Sequence, residues 1–167
     1  MKKKKIIIIA ILASLLLVIL LIICIKIYNS NSTETEKKIL FAMTITDAAE
    51  NTETIYVDSA GQLYSSFSEQ KIITEIESGT IFQEKVVGHV SKSKLDNHYD
   101  KFCQLDEDMH FYGRNEGGHE FEDYFAFYGI KYNNGEPELI DLGDTTYYAE
   151  DPDAEDIVQW MKKWNYR

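Results

Sequence analysis

The sequence predicts an α+β fold, in which an N-terminal transmembrane helix is followed by a mostly antiparallel sheet packed with about three helices. Three observations lead there. The 20 residues Ile6 to Ile25 carry no charge, and at about 1.5 Å rise per residue such a run reaches about 30 Å, the thickness of a bilayer's hydrocarbon core. The segments beyond it read as strands, helix, strand, helix, strands, helix, an order that suits helices packed on one sheet and not alternating βαβ units. Turn signals at Asp58-Ser59-Ala60-Gly61 and Asn134-Gly135 join successive strands directly, which only antiparallel neighbours allow.

At the N-terminus, Lys2 to Lys5 favour a cytoplasmic tip of residues 1–5 by the positive-inside bias. A transmembrane signal-anchor helix over 6–27 follows, then a polar linker over 28–38, and an extracellular α+β domain over 39–167. A cleaved signal has an apolar region of about 7 to 15 residues and small residues at the cut. Here Cys24, Ile25, Lys26, Ile27 and Tyr28 close the run with no A-x-A pattern, and Ile23, not a small residue, precedes Cys24. The segment is therefore expected to stay in the membrane, with Cys24 as an ordinary lipid-facing residue. "NSNSTETEKK", Asn29 to Lys38, has no apolar period and reads as a tether.

Within the outer domain, "ILFAMTIT" alternates Ile39, Phe41, Met43 and Ile45 with Leu40, Ala42, Thr44 and Thr46, giving a strand with one strongly apolar face. "TIYVDSAGQLYSS" is a hairpin, because Asp58 can bond backbone two residues on and Gly61 can take the left-handed conformation. "FSEQKIITEIESG" is a short helix with Ser68 at its N-cap, Phe67 stapled onto Ile72, Gly79 past its end, and Ile72, Ile73 and Ile76 buried. A strand through "TIFQEKVVGHV" and a helix with Leu95, Tyr99 and Phe102 at helical spacing come next. "HEFEDYFAFYGIKYNNGEPELIDLGD" is a long hairpin with Phe121, Phe125 and Phe127 on one face and Tyr124, Tyr128, Ile130 and Tyr132 on the other. Two apolar faces place it centrally in the sheet. In the tail, Asp151 suits an N-cap and Pro152 the first helical position, and Ile157, Trp160, Met161 and Trp164 form a stripe.

The lysine-led anchor, the tether, "YVDSAGQLYSS" and the closing run "FYGIKYNNGEPELIDLGD…EDPDAEDIVQWMKKW" together resemble uncharacterised membrane-anchored cell-surface proteins and lipoproteins of low-GC Gram-positive bacteria. The resemblance implies an envelope location and carries no activity with it.

Charge narrows the partners. Beyond the span, 28 acidic residues face 13 basic ones, a net of −15. A nucleic-acid partner is disfavoured, since phosphate binding needs clustered Lys and Arg. Sequence patterns for a nucleophile elbow, a phosphate-cradling loop and a dinucleotide site are missing. Cys103 lies near His98 and His110 but borders the Leu95, Tyr99, Phe102 stripe, so it reads as a half-buried structural residue. His110, His119 and Glu120 are candidate metal ligands from "LDEDMHFYGRNEGGHEFED", although their spacing matches no metal motif, and no cofactor is expected. Tyr147, Tyr148, Trp160 and Trp164 are candidate binding residues, because exposed Tyr and Trp anchor interfaces well. The expected function is a non-enzymatic binding or interaction module, tethered to the outer face of the cell membrane by residues 6–27 and facing an envelope-protein or cell-wall partner. The alternatives are a hydrolase of envelope polymers using acidic residues and a membrane-tethered immunity or inhibitor protein.

Overall fold

The computed structural model describes residues 37–68, 70–106, 108–113 and 123–164. The chain divides into two compact units, Met1–Lys37 and Lys38–Arg167, and every helix and strand among the described residues lies in the second. The expected span over 6–27, Cys24, nearly all of the linker, and Phe121 lie outside the described residues. Among the described residues no helix is long and apolar enough to cross a membrane.

The central strand is β1 (Ile39–Thr46), paired antiparallel with β2 (Thr52–Asp58) on one side and β6 (Tyr124–Asn133) on the other. With β3 (Gln62–Ser66), β4 (Val86–His89), β5 (Phe111–Gly113), β7 (Glu136–Asp144) and β8 (Tyr147–Ala149) the described strands form an eight-stranded antiparallel sheet, ordered β4-β3-β2-β1-β6-β7-β8-β5. The predicted hairpins both form. Asp58 Oδ1 accepts from Ala60 N and Gln62 N, and Gly61 sits at φ 85°. Asn134 and Gly135 follow at φ 55° and 92°, the left-handed pair that matches strand twist in a two-residue turn.

Among the described residues three α-helices cover the sheet: α1 (Ile72–Ser78), α2 (Lys92–Phe102) and α3 (Pro152–Met161). Helices α2 and α3 share one apolar cluster with Phe41, Met43, Ile55, Val57, Leu63, Phe127 and Leu142, to which they bring Leu95, Phe102, Ile157, Val158 and Met161. Asp151 caps α3 as expected, its side chain accepting from Asp153 N at 2.8 Å. On the opposite face Ile76 of α1 and Ile81 pack against Ile39, Ala42, Tyr56, Tyr64 and Ile130. Gly129 of β6 is where Phe102 of α2 seats its ring, so close that a Cβ there would fall 2.2 Å from Phe102 Cε2.

Four expectations change. The alternation in β1 breaks at a bulge between Ile39 and Phe41, which turns Ile39 to the α1 face while Leu40, Phe41 and Met43 all join the other cluster. Both faces of that strand are therefore apolar at its start. The strand expected through "TIFQEKVVGHV" shrinks to β4, because bonds from Phe82 N to Gly79 O and Glu84 N to Ile81 O wind Thr80–Gln83 into a 3₁₀ turn that buries Ile81. Helix α1 starts later than expected, since Ser68 Oγ accepts from Gln70 N instead of capping a helix and Lys71 holds the N-cap position with no side-chain cap. As a consequence Phe67 is 72% exposed and does not staple onto Ile72. Cys103, at the end of α2, is exposed and free instead of half-buried, because Phe102 takes the buried position beside it.

Candidate functional site

Helix α1 and the 3₁₀ turn cover only part of their sheet face. The covered rungs carry Ala42, Tyr56, Tyr64 and Ile130. The next rungs pair Thr44 with Thr54 and Ala126, and Thr46 with Thr52 and Tyr124. Strand alternation puts these side chains on the same face as Ala42 and Tyr56. A cleft of about 720 Å³ opens there, within the range of about 300–1,000 Å³ typical of ligand pockets. Its floor is Thr44, Thr52, Thr54, Tyr128 and Leu139. Glu50 and Asn51 of the β1–β2 turn form one rim, while Phe67, Ser68, Gln70 and Lys71, leading to Ile72 and Ile73 of α1, form the other.

Local chemistry fixes both rims. Asp47 Oδ1 accepts from Ala49 N at 2.8 Å and Asn51 N at 2.9 Å, and its Oδ2 accepts from Asn51 Nδ2 at 2.9 Å. These bonds, led by the Asn51 amide, hold the Asp47 carboxyl below its ordinary range. They also hold Glu50 at φ 64°, a left-handed conformation that costs a residue with a Cβ about 1–2 kcal/mol. Beneath the other rim, Glu75 of α1 is 5% exposed and accepts hydrogen bonds from the Tyr56 and Ser66 hydroxyls, the latter at 2.7 Å. Ser66 Oγ also accepts from Ser68 N at 3.2 Å. On the floor the Thr52 hydroxyl shares a hydrogen bond with that of Thr46 at 3.1 Å. Burial, then Glu75, pushes the Tyr56 phenol far above its usual range, so it remains a donor at any working pH. Burial, then Asp141, raises Tyr128 as well.

What the cleft offers is hydrogen bonding by side chains. Along the floor β1 and β6 are paired on both edges and β2 is paired with β3 from Thr54 to Val57, so most of their backbone groups are committed to ladders. Among the described lining residues Glu50 is the one carboxylate, Lys71 the one cation, and histidine and cysteine are lacking.

The residues singled out in the sequence lie elsewhere. His110 is exposed just before β5, its backbone oxygen accepting from Glu150 N at 2.8 Å. His119 and Glu120 lie outside the described residues, among which three or more metal-ligating side chains nowhere converge. Tyr147 and Tyr148 are exposed on β8, where Tyr148 faces Tyr112 at a ring separation of 6.0 Å near the sheet edge. Trp164 is 6% exposed within the α2–α3 cluster, and Trp160 packs on it at 5.3 Å and edge-on to Phe41 at 5.6 Å. The cleft itself had a sequence signal that was passed over: the doublets Thr44-Ile45-Thr46 and Thr52-Glu53-Thr54 put two hydroxyls on one face of each of two adjacent strands.

A second group of titratable residues sits between α2 and α3. His98 is buried, stacked on Trp160 at 4.5 Å, and its Nδ1 has no hydrogen-bond partner among the described residues. Asp156 Oδ2 is 3.8 Å from that nitrogen but is engaged at 2.9 Å by Lys101, which also reaches Asp153 at 2.9 Å. Burial lowers the His98 pKa, opposed by Asp156 and assisted by Lys101 and Lys94. The folded state therefore prefers neutral His98, whereas the unfolded chain takes up the proton near pH 6.5. This contribution to stability is fully present above about pH 6.5 and is lost as pH falls through the lowered folded value. The urea midpoint is expected to drop between pH 7.5 and 5.5, and more steeply for the wild type than for His98→Gln. Equal drops in the two would remove His98 as the cause.

No family model matches this sequence, and no curated protein or solved structure is significantly similar to it.

Proposed function

We propose that this chain is a non-enzymatic binding module, tethered to the outer face of the cell membrane by residues 6–27 with its N-terminus in the cytoplasm, and that the cleft beside α1 is its binding site. The observation that carries the reading is the lining of the cleft: a sheet floor with threonine hydroxyls and Tyr128, ringed by the amide side chains of Asn51 and Gln70 and by Phe67. Sites built on such elements hold their geometry better than sites on loops alone. The location rests on the four leading lysines, the uncharged run, the polar tether and the likeness to membrane-anchored surface proteins of low-GC Gram-positive bacteria.

The hydrolase alternative fares less well. Hydrolysis of a glycosidic bond needs two carboxyl groups about 5–9.5 Å apart across the substrate, and the described lining supplies Glu50 alone. For an immunity or inhibitor role no specific observation speaks.

The test uses full-length protein in detergent, immobilised and exposed to solubilised cell envelopes. Thr52 is exposed on the cleft floor, so Thr52→Trp fills the cleft without disturbing the core. Wild type is expected to retain an envelope component that Thr52→Trp loses. Equal retention by both would refute the cleft as the site.

A further inference from the structure

Resting on that reading of the cleft, we infer that its ligand is a neutral, hydroxyl-rich chain, a saccharide, bound with one sugar ring against Phe67. Four observations select this chemistry over its competitors.

The first is the exposure of Phe67. A phenylalanine that is 72% exposed, on the rim of a concave site, keeps an apolar ring in water although Ile72 stands five residues away. The electron-rich face of an aromatic ring attracts the positively polarised C–H groups that line one side of a pyranose, and covering it removes apolar area from water. The second is the floor. Thr44, Thr52 and Thr54 line adjacent rungs; Thr52, the most exposed, shares one hydrogen bond with the Thr46 hydroxyl at 3.1 Å, and since a hydroxyl has one donor and two acceptor lone pairs it keeps bonding capacity for a ligand. Sugar hydroxyls match that dual character. An apolar ligand would strip water from the remaining bonding sites and return no hydrogen bond, a cost a hydroxyl-bearing ligand avoids.

The third observation concerns peptides. An extended peptide is usually gripped by free backbone groups along a sheet edge, but β1 and β6 are paired on both sides along the floor, and β2 leaves only Thr52 and Glu53 beyond the end of its pairing with β3, too short an edge to hold one. The fourth is charge. Glu50 and Lys71 are the charged groups of the described lining and stand on opposite rims, the described floor carries no ionised group, and the whole chain has a formal charge of −11. An anionic ligand meets repulsion at a distance and no cationic cluster on arrival.

The experiment is calorimetric titration of the full-length protein in detergent with three neutral tetrasaccharides, of glucose in α and β linkage and of N-acetylglucosamine, and with tetra-alanine as the peptide probe. At least one tetrasaccharide is expected to bind saturably, and Phe67→Ala should weaken it by about tenfold. Because Phe67 is exposed, that variant should melt with the wild type, which separates lost binding from lost folding. Thr52→Trp should abolish the titration. Three results would overturn the inference: no heat with any of the sugars, binding that survives both substitutions, or binding of tetra-alanine that Thr52→Trp removes. If the sugars fail while Thr52→Trp still loses an envelope component, the saccharide is wrong and the cleft stands. If both fail, the reading of the cleft falls with it.

Discussion

Gly129→Ala is expected to destabilise the domain by about 3 kcal/mol, the upper end of what overpacking a close-packed core costs. The added methyl would lie 2.2 Å from one Phe102 ring carbon and 2.4 Å from another. Nor can the ring step aside, because it is fully buried, edge-on to Phe41 at 5.5 Å and beside Tyr99 at 5.8 Å. Tyr99 is itself tied to β6 by a bond from its hydroxyl to Ile130 O at 3.1 Å. Removing the ring by Phe102→Ala should cost about 3–5 kcal/mol through the cavity it leaves. In the pair Gly129→Ala with Phe102→Ala the methyl occupies part of that space, so the two costs should fall well short of adding. Urea unfolding of the three variants measures this directly. A neutral Gly129→Ala, or simple additivity, would mean that Phe102 does not fix α2 on the sheet.

Glu75→Ala should cost about 2–5 kcal/mol. Its carboxylate is the shared acceptor for the Tyr56 and Ser66 hydroxyls, and both of those residues are buried. Truncation leaves two buried donors without it, at about 1–3 kcal/mol each. Glu75→Gln keeps one acceptor oxygen and should cost roughly half as much, since a neutral acceptor makes weaker bonds than an ionised one. Tyr56→Phe and Ser66→Ala each remove one donor with its bond and should cost less again. There is a functional side to this. Ser66 also holds Ser68 N on the rim that carries Phe67, so loosening Glu75 should weaken cleft binding beyond its effect on the melting temperature. If Glu75→Ala unfolds at the wild-type denaturant concentration, the network neither supports α1 nor shapes the rim.

Much of the architecture was legible because local chemistry decided it. Asp58, Gly61, Asn134 and Gly135 demand turns wherever the rest of the chain goes, and Asp151-Pro152 starts a helix by satisfying backbone groups within a few residues. Where competing local bonds or tertiary pairing intervened, the pattern misled. The bulge at Leu40 exists only in the pairing of β1 with β2, and a perfectly alternating sequence gives no sign of it. At Ser68, a capping residue was claimed by a turn to Gln70 and by Ser66, leaving Phe67 exposed on the cleft rim.

The site was harder to see than the fold. Aromatic composition drew notice to Trp160 and Trp164, and helical spacing could not say whether the stripe met solvent or sheet; the cluster with Phe41 and His98 answers that. Threonine doublets in β-strands are common, and nothing local marks Thr44 and Thr52 as a floor. That follows from the late start of α1 at Ile72, which leaves the rungs beyond its N-terminal turn uncovered.

The central claim is that recognition belongs to the cleft and not to the exposed tyrosines near the sheet edge. The most direct measurement compares envelope retention by three full-length proteins: wild type, Thr52→Trp, and the double variant Tyr147→Ser with Tyr148→Ser. Retention equal to wild type in the tyrosine variant and lost in Thr52→Trp is the predicted result. Retention lost in the tyrosine variant and kept in Thr52→Trp would contradict it.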